Sequence, residues 1–192
     1  MRGKVAGVAG GGRSEAGDNV REEAGCGMVS AQRRFAARSR EMGMDSLERM
    51  AADWNASDFC RSFSVEILEL SPGASRAALH VEERHRRHRL IPSISGGSIA
   101  YFFDAVLGAA VSTVCGEDVR DILTVELQIQ FLRPLIARRR ATAAGFVVRK
   151  GRNLVFVRGE AFDEAGKLSS TATGIWALIR GGARTLVSEE RA

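Results

Sequence analysis

The 192-residue chain is poor in several things, and each shortage excludes something. It has three cysteines, three prolines, three histidines, two tryptophans and one tyrosine. Cys26, Cys60 and Cys115 are odd in number and unrelated in spacing, so they form neither a disulfide framework nor a zinc knuckle. The histidines, His80, His85 and His88, have no helical i, i+4 pair, which leaves no basis for a metal site. No apolar run reaches the roughly 20 residues that cross a bilayer, because Asp104 interrupts the best candidate. The N-terminal stretch MRGKVAGVAGGGRSEAGDNVREE lacks an apolar h-region. A cytoplasmic location without membrane contact is the resulting expectation. There is no Ser-His-Asp set and no phosphate loop.

What is present is 45% hydrophobic and 27% charged, the composition of a globular domain. The net charge of +5 is spread over the N-terminal segment, EERHRRHR at 82–89 and RPLIARRRA at 133–141, with no aromatic residues interleaved. Nucleic-acid recognition needs more than that, so no nucleic-acid partner is expected. A binder of that kind would show a steep salt dependence. Residues 1–41 lack an apolar period and are expected to be loosely ordered, 42–180 form one domain, and 181–192 form a tail. Met28, Met42 and Met44 each precede more protein-like sequence, and each is a candidate translation start.

Within the domain, MDSLERMAADWN at 44–55 has helical spacing through Leu47, Met50 and Trp54. The alternation at 62–70 predicts a strand, Ser71-Pro72-Gly73 a turn, and 74–81 a second strand. A long helix follows over 97–114, with Ile99, Phe102, Phe103, Val106, Leu107, Ala110, Val111 and Val114 on one broad face. Its other face carries Gly97, Ala100, Tyr101, Asp104 and Gly108. Strands are then predicted at 122–132, 139–149, 153–163 and 167–179, the last three separated by hairpin-like turns. In the first of these, Val125, Leu127, Ile129 and Phe131 fall on one side, and Thr124, Glu126, Gln128 and Gln130 on the other. The order is helix, two strands, long helix, four strands. Such a helix must cover its apolar stripe with the sheet, which makes the fold α+β.

Aspartate is a poor helix-interior residue, and burying its charge is costly, so a site that keeps Asp104 has a use for it. The amides of Gly96 and Gly97 open the same helix and suit an oxygen that gains negative charge. A carboxylate paired with a nearby arginine is the structural counterpart of that reading. Glu126 is a further carboxylate, most simply a solvated one.

Three motifs in order carry a resemblance: Ser95-Gly96-Gly97 with Asp104 seven residues after Gly97, TVELQIQFLRP at 124–134, and RKGRNLVFVRGEAFDEAGKLSSTATG at 149–174. Together they resemble the hotdog-fold acyl-CoA thioesterases of the PaaI type, in which an antiparallel sheet wraps a long central helix. The resemblance implies hydrolysis of an acyl-CoA to free acid and CoA, with CoA belonging to the substrate and no separate cofactor or metal. It implies that Asp104 is the general base or the nucleophile, that Gly96 and Gly97 polarise the carbonyl, and that Thr124 helps place the attacking water. It also implies a homodimer or homotetramer, with the glycine amide and the carboxylate of one site supplied by different subunits. Arg149, Lys150 and Arg152 match the family's basic turn for the CoA phosphates, although they would also suit a solvated turn. The family's histidine is Ser95 here, and its polar residue six positions earlier falls at Arg89, with His88 an alternative in a shifted loop. These departures motivate a second expectation, an acyl-CoA binding or sensing protein that releases no thiol. The dehydratase relatives place a histidine a few residues after their acid; AVLGAAVST follows Asp104, so dehydration is not expected.

Overall fold

A computed structural model describes residues 44–87 and 92–181. Two helices, α1 (Met44–Ala56) and α2 (Asp58–Ser62), precede a hairpin of β1 (Val65–Ser71) and β2 (Ala74–His80). The long helix α3 (Gly96–Ser112) follows, then β3 (Val119–Phe131), β4 (Arg140–Lys150), β5 (Leu154–Phe162) and β6 (Leu168–Arg180). All six strands are antiparallel in one sheet of order β1-β2-β4-β5-β6-β3. The Pro72-Gly73 turn is type II in character, with Gly73 at φ 74° in the position that requires it.

Helix α3 lies across one face of the sheet. Phe102, Phe103, Val106, Leu107, Ala110 and Val111 are fully buried against Ala77, Leu79, Ala143, Val155, Val157 and Trp176. Fully burying each large side chain contributes about 1.5–3 kcal/mol relative to exposure. The helix sits close because the strands beneath it carry glycine: a Cβ at Gly145 would stand 2.9 Å from the Val106 carbonyl oxygen. Ser75 Oγ donates a 2.5 Å hydrogen bond to that same oxygen. At the far end, Thr113 Oγ1 donates to Ala110 O and accepts from Gly73 N–H, both at 2.7 Å, which ties the helix terminus to the first hairpin.

The predicted order of elements stands, with two corrections. Ser62, expected to open the first strand, instead ends the helical turn α2, which Ser57 caps by accepting from Cys60 N–H at 3.2 Å, and the strand starts at Val65. In β3 the strict alternation fails at Val125. A β-bulge between Thr124 and Glu126 shifts the register against β6, so Thr124 pairs with Trp176 while Leu127 pairs with Gly174. Thr124 therefore shares the helix-facing side with Ile122, Leu127 and Ile129, and not with Glu126, Gln128 and Gln130. The expectations for 1–41, 182–192, His88 and Arg89 lie outside the described residues.

Candidate active site

Asp104 lies on α3, off the stripe that faces the sheet, and stays partly exposed at the β3 edge. The bulged strand turns Thr124 toward it, and Thr124 Oγ1 donates a 2.7 Å hydrogen bond to Asp104 Oδ1. Oδ2 takes no hydrogen bond from the described residues, which leaves it free to accept a proton from water or to attack a carbonyl. Glu126, paired with Ile175 beyond the bulge, is exposed and turned to the other face.

The start of α3 supplies the second half. Ser95 is the N-cap: its Oγ accepts from Ser98 N–H at 3.2 Å and lies 2.8 Å from Ser98 Oγ. The hydroxyl that replaces the family's histidine is thus engaged by the helix's own first turn. Gly96 and Gly97 are the first two helical residues, whose N–H groups no intrahelical carbonyl can reach. Neither N–H has a partner among the described residues. A Cβ at Gly97 would meet nothing within 4 Å among the described residues, whereas one at Gly96 would stand 3.4 Å from the Phe131 ring. At 1.5 Å per residue, Gly97 and Asp104 are about 10 Å apart along one face of α3, too far for a single carbonyl and its attacking water to touch both.

A cavity of about 750 Å³ opens beside Asp104 and Thr124, between α1, α3 and the β3 edge. This is within the usual size of small-molecule pockets. Met50, Trp54 and Phe59 from the two leading helices line it, together with Ile122 and Trp176. Phe59 also belongs to an aromatic stack in which Tyr101 packs on both Phe59 and Phe63, with ring centroids 4.5 and 4.1 Å away. Tyr101 Oη fixes that stack by donating to Phe59 O at 2.5 Å. The sequence marked α1 as amphipathic through Met50 and Trp54, but nothing local showed that its apolar side covers the Asp104 face.

The remaining candidates lie elsewhere. Arg149, Lys150 and Arg152 occupy the β4–β5 hairpin and its flanks, where Lys150 Nζ donates to Val114 O just past the C-terminus of α3. That places the turn about 15 Å along the helix from Asp104, so one chain does not bring them together. Arg180 extends this basic end. It donates to Arg152 O at 2.5 Å and pairs with Asp118. Burial pushes the nearby Cys115 thiol up, and Lys150 and Arg180 partly oppose that shift. His80 pairs with Glu66 at 2.7 Å. His85 is buried, its Nδ1 accepts from Glu82 N–H at 2.9 Å, and burial pulls its pKa down. Among the described residues no group of three or more His, Cys, Asp or Glu is placed to hold a metal, and no helix is long and apolar enough to cross a membrane.

Comparison with known proteins agrees with this architecture. The family description that matches is the thioesterase superfamily, over residues 92–170. A protein of Saccharolobus solfataricus, provisionally named an esterase, is 32% identical over 125 residues, covering 65% of this chain and 86% of that relative. Among solved structures, a thioesterase family protein from Silicibacter pomeroyi superposes with a TM-score of 0.63 at 21% identity, over 70% of this chain and 99% of that one. The PaaI protein of the E. coli phenylacetic acid degradation operon gives 0.59 at 19% identity, over 70% and 96%. These two structures share the hotdog fold with this chain, and the family match together with the S. solfataricus relative shows that the chain belongs to the thioesterase superfamily.

Proposed function

We propose that this protein hydrolyses acyl-CoA thioesters at sites shared between two copies of the chain. The observation that carries the proposal is the Asp104–Thr124 hydrogen bond beside a cavity, at the edge strand of the sheet. Asp104 acts as general base on water or as nucleophile on the thioester carbon, and Thr124 orients it. The carbonyl oxygen, which gains charge in the transition state, needs donors close by, and the chain's own Gly96 and Gly97 amides are about 10 Å away. A second copy supplies them. Thr124 and Phe131 lie at two points of β3, with Asp104 beside the first and Gly96 beneath the second. Pairing two β3 edges about a two-fold axis midway between those points brings each copy's glycines to the other's acid.

In that arrangement the two copies of α3 run antiparallel. The Arg149, Lys150 and Arg152 turn of the second copy then lies on the side of the carbonyl opposite the cavity, where the CoA phosphates leave the site. The exposed apolar residues Leu123 and Val125, on an edge unpaired among the described residues, support such pairing.

Thiol release from acetyl-, hexanoyl-, palmitoyl- and benzoyl-CoA tests the proposal. Asp104→Asn should preserve the fold and reduce turnover by about 10³-fold or more, as loss of a base or nucleophile does. Turnover unaffected by Asp104→Asn rejects it. Binding without thiol release by the wild type would instead identify an acyl-CoA binding protein, the outcome that the Ser95 substitution favours.

A further inference from the structure

Past Asp104, one helical turn along α3, the helix surface drops away at Gly108. Two tryptophans fill the space: a Cβ at Gly108 would stand 3.1 Å from Trp54 Cη2, 3.7 Å from Trp54 Cζ2 and 3.7 Å from Trp176 Nε1. Trp176 is buried in the core, whereas Trp54 comes from α1, an amphipathic helix none of whose residues is fully buried. From Asp104 the cavity runs in this direction, past Gly108 and Ser112 to Gly116. Beyond Trp54 its lining turns polar, with Ser112, Glu117, Arg120 and Asp121.

We infer that Trp54, seated on Gly108, is the residue that limits the length of the acyl group. The inference rests on the proposed hydrolysis and assigns the cavity to the acyl side of the thioester. With the carbonyl at Asp104, the acyl chain runs along α3 over the apolar section made by Phe59, Ile122, Trp54 and Trp176. It stops at the indole of Trp54, because an acyl chain running farther would strip water from Glu117, Arg120 and Asp121.

The test is kcat/KM over a saturated series from acetyl- to palmitoyl-CoA for wild type, Trp54→Ala, Trp54→Phe and Gly108→Ala, with Asp104→Asn in parallel. Trp54→Ala should raise the ratio of long-chain to short-chain kcat/KM about tenfold or more, since one methylene in a fitted pocket is worth about that much. Trp54→Phe should shift it less. Gly108→Ala should lower the ratio, because the added methyl pushes the indole into the cavity. The phenylalanine and alanine variants keep the test open if removal of the whole indole loosens α1. Unchanged profiles in all the variants, with Asp104-dependent thiol release intact, overturn the inference and leave the proposed function standing. No thiol release by the wild type from any member of the series overturns both.

Discussion

Thr124 and Asp104 are twenty residues apart in sequence and joined by a 2.7 Å hydrogen bond that depends on a bulge in β3. Thr124 and Leu127 are three residues apart, a spacing that an unbulged strand would place on opposite faces of the sheet. The bulge at Val125 turns both to the helix-facing side. The bulge lets one strand both complete the apolar layer with Leu127 and Ile129 and offer a hydroxyl to the acid.

Loss of that hydroxyl is the first prediction. Thr124→Ala should lower kcat by about 10–100-fold with a smaller change in KM, and Thr124→Ser should recover most of it. Steady-state kinetics on one good acyl-CoA substrate decide this; a serine variant as impaired as the alanine would count against an orienting hydroxyl.

Gly97 makes a sharper test of where substrate approaches. Nothing among the described residues lies within 4 Å of a Cβ at that position, and alanine is the better helix former, so Gly97→Ala should leave thermal stability equal or slightly higher. Turnover should still fall by about tenfold or more, because a carbonyl bonded to the backbone amide comes within contact of the new methyl. Full activity would place the carbonyl elsewhere.

The β3 edge gives a prediction about assembly. Leu123 and Val125 are 52% and 60% exposed on a strand whose outer hydrogen-bonding edge is unpaired among the described residues. Lysine at both positions should convert the protein to monomers by light scattering and abolish thiol release together, since a charged edge resists strand pairing. An active monomer would refute the shared site.

His85 predicts an acid sensitivity of folding. Its buried ring is held neutral with Nδ1 accepting from Glu82 N–H, and burial lowers its folded pKa below the ordinary value of 6.5. As pH falls through the unfolded value, the unfolded chain takes up a proton that the folded chain refuses. Stability is therefore lost below about pH 6.5 and the loss levels off near the folded pKa. In His85→Gln the slope of stability against pH between 5 and 6.5 should be smaller than in wild type by urea denaturation; equal slopes would mean that the ring titrates normally.

The sequence made the elements legible because each has a strong local signature. The 3.6-residue period of α3, the Pro72-Gly73 turn and the Gly151 and Gly166 hairpins all occur where the residue chemistry requires them. Asp104 stood out as the one charge in an apolar helix. Three features were not legible, and all depend on tertiary pairing. The bulge at Val125 is fixed by register against β6, and alternation alone reads straight through it. The α2 turn depends on the Ser57 cap, which competes with an equally plausible strand signal from 62 onward. The Trp54 and Phe59 wall of the cavity needs the docking of α1 and α2 on the Gly108 face. A single sequence period marks such a helix as amphipathic without naming its partner. Arg120 and Arg180 escaped notice for a related reason: they join the Lys150 end of the molecule only once β3 and β6 are paired.

The most direct measurement mixes two inactive chains. Asp104→Asn lacks the acid, and Gly97→Pro lacks the amide donor at a helix position where proline is tolerated. Each should be nearly inactive alone. Refolded or co-expressed in equal amounts as dimers, half would be mixed, and each mixed dimer would hold one site with both groups intact. About a quarter of wild-type thiol release should therefore return. Activity no greater than the sum of the two separate variants would contradict a site built from the acid of one subunit and the amides of the other.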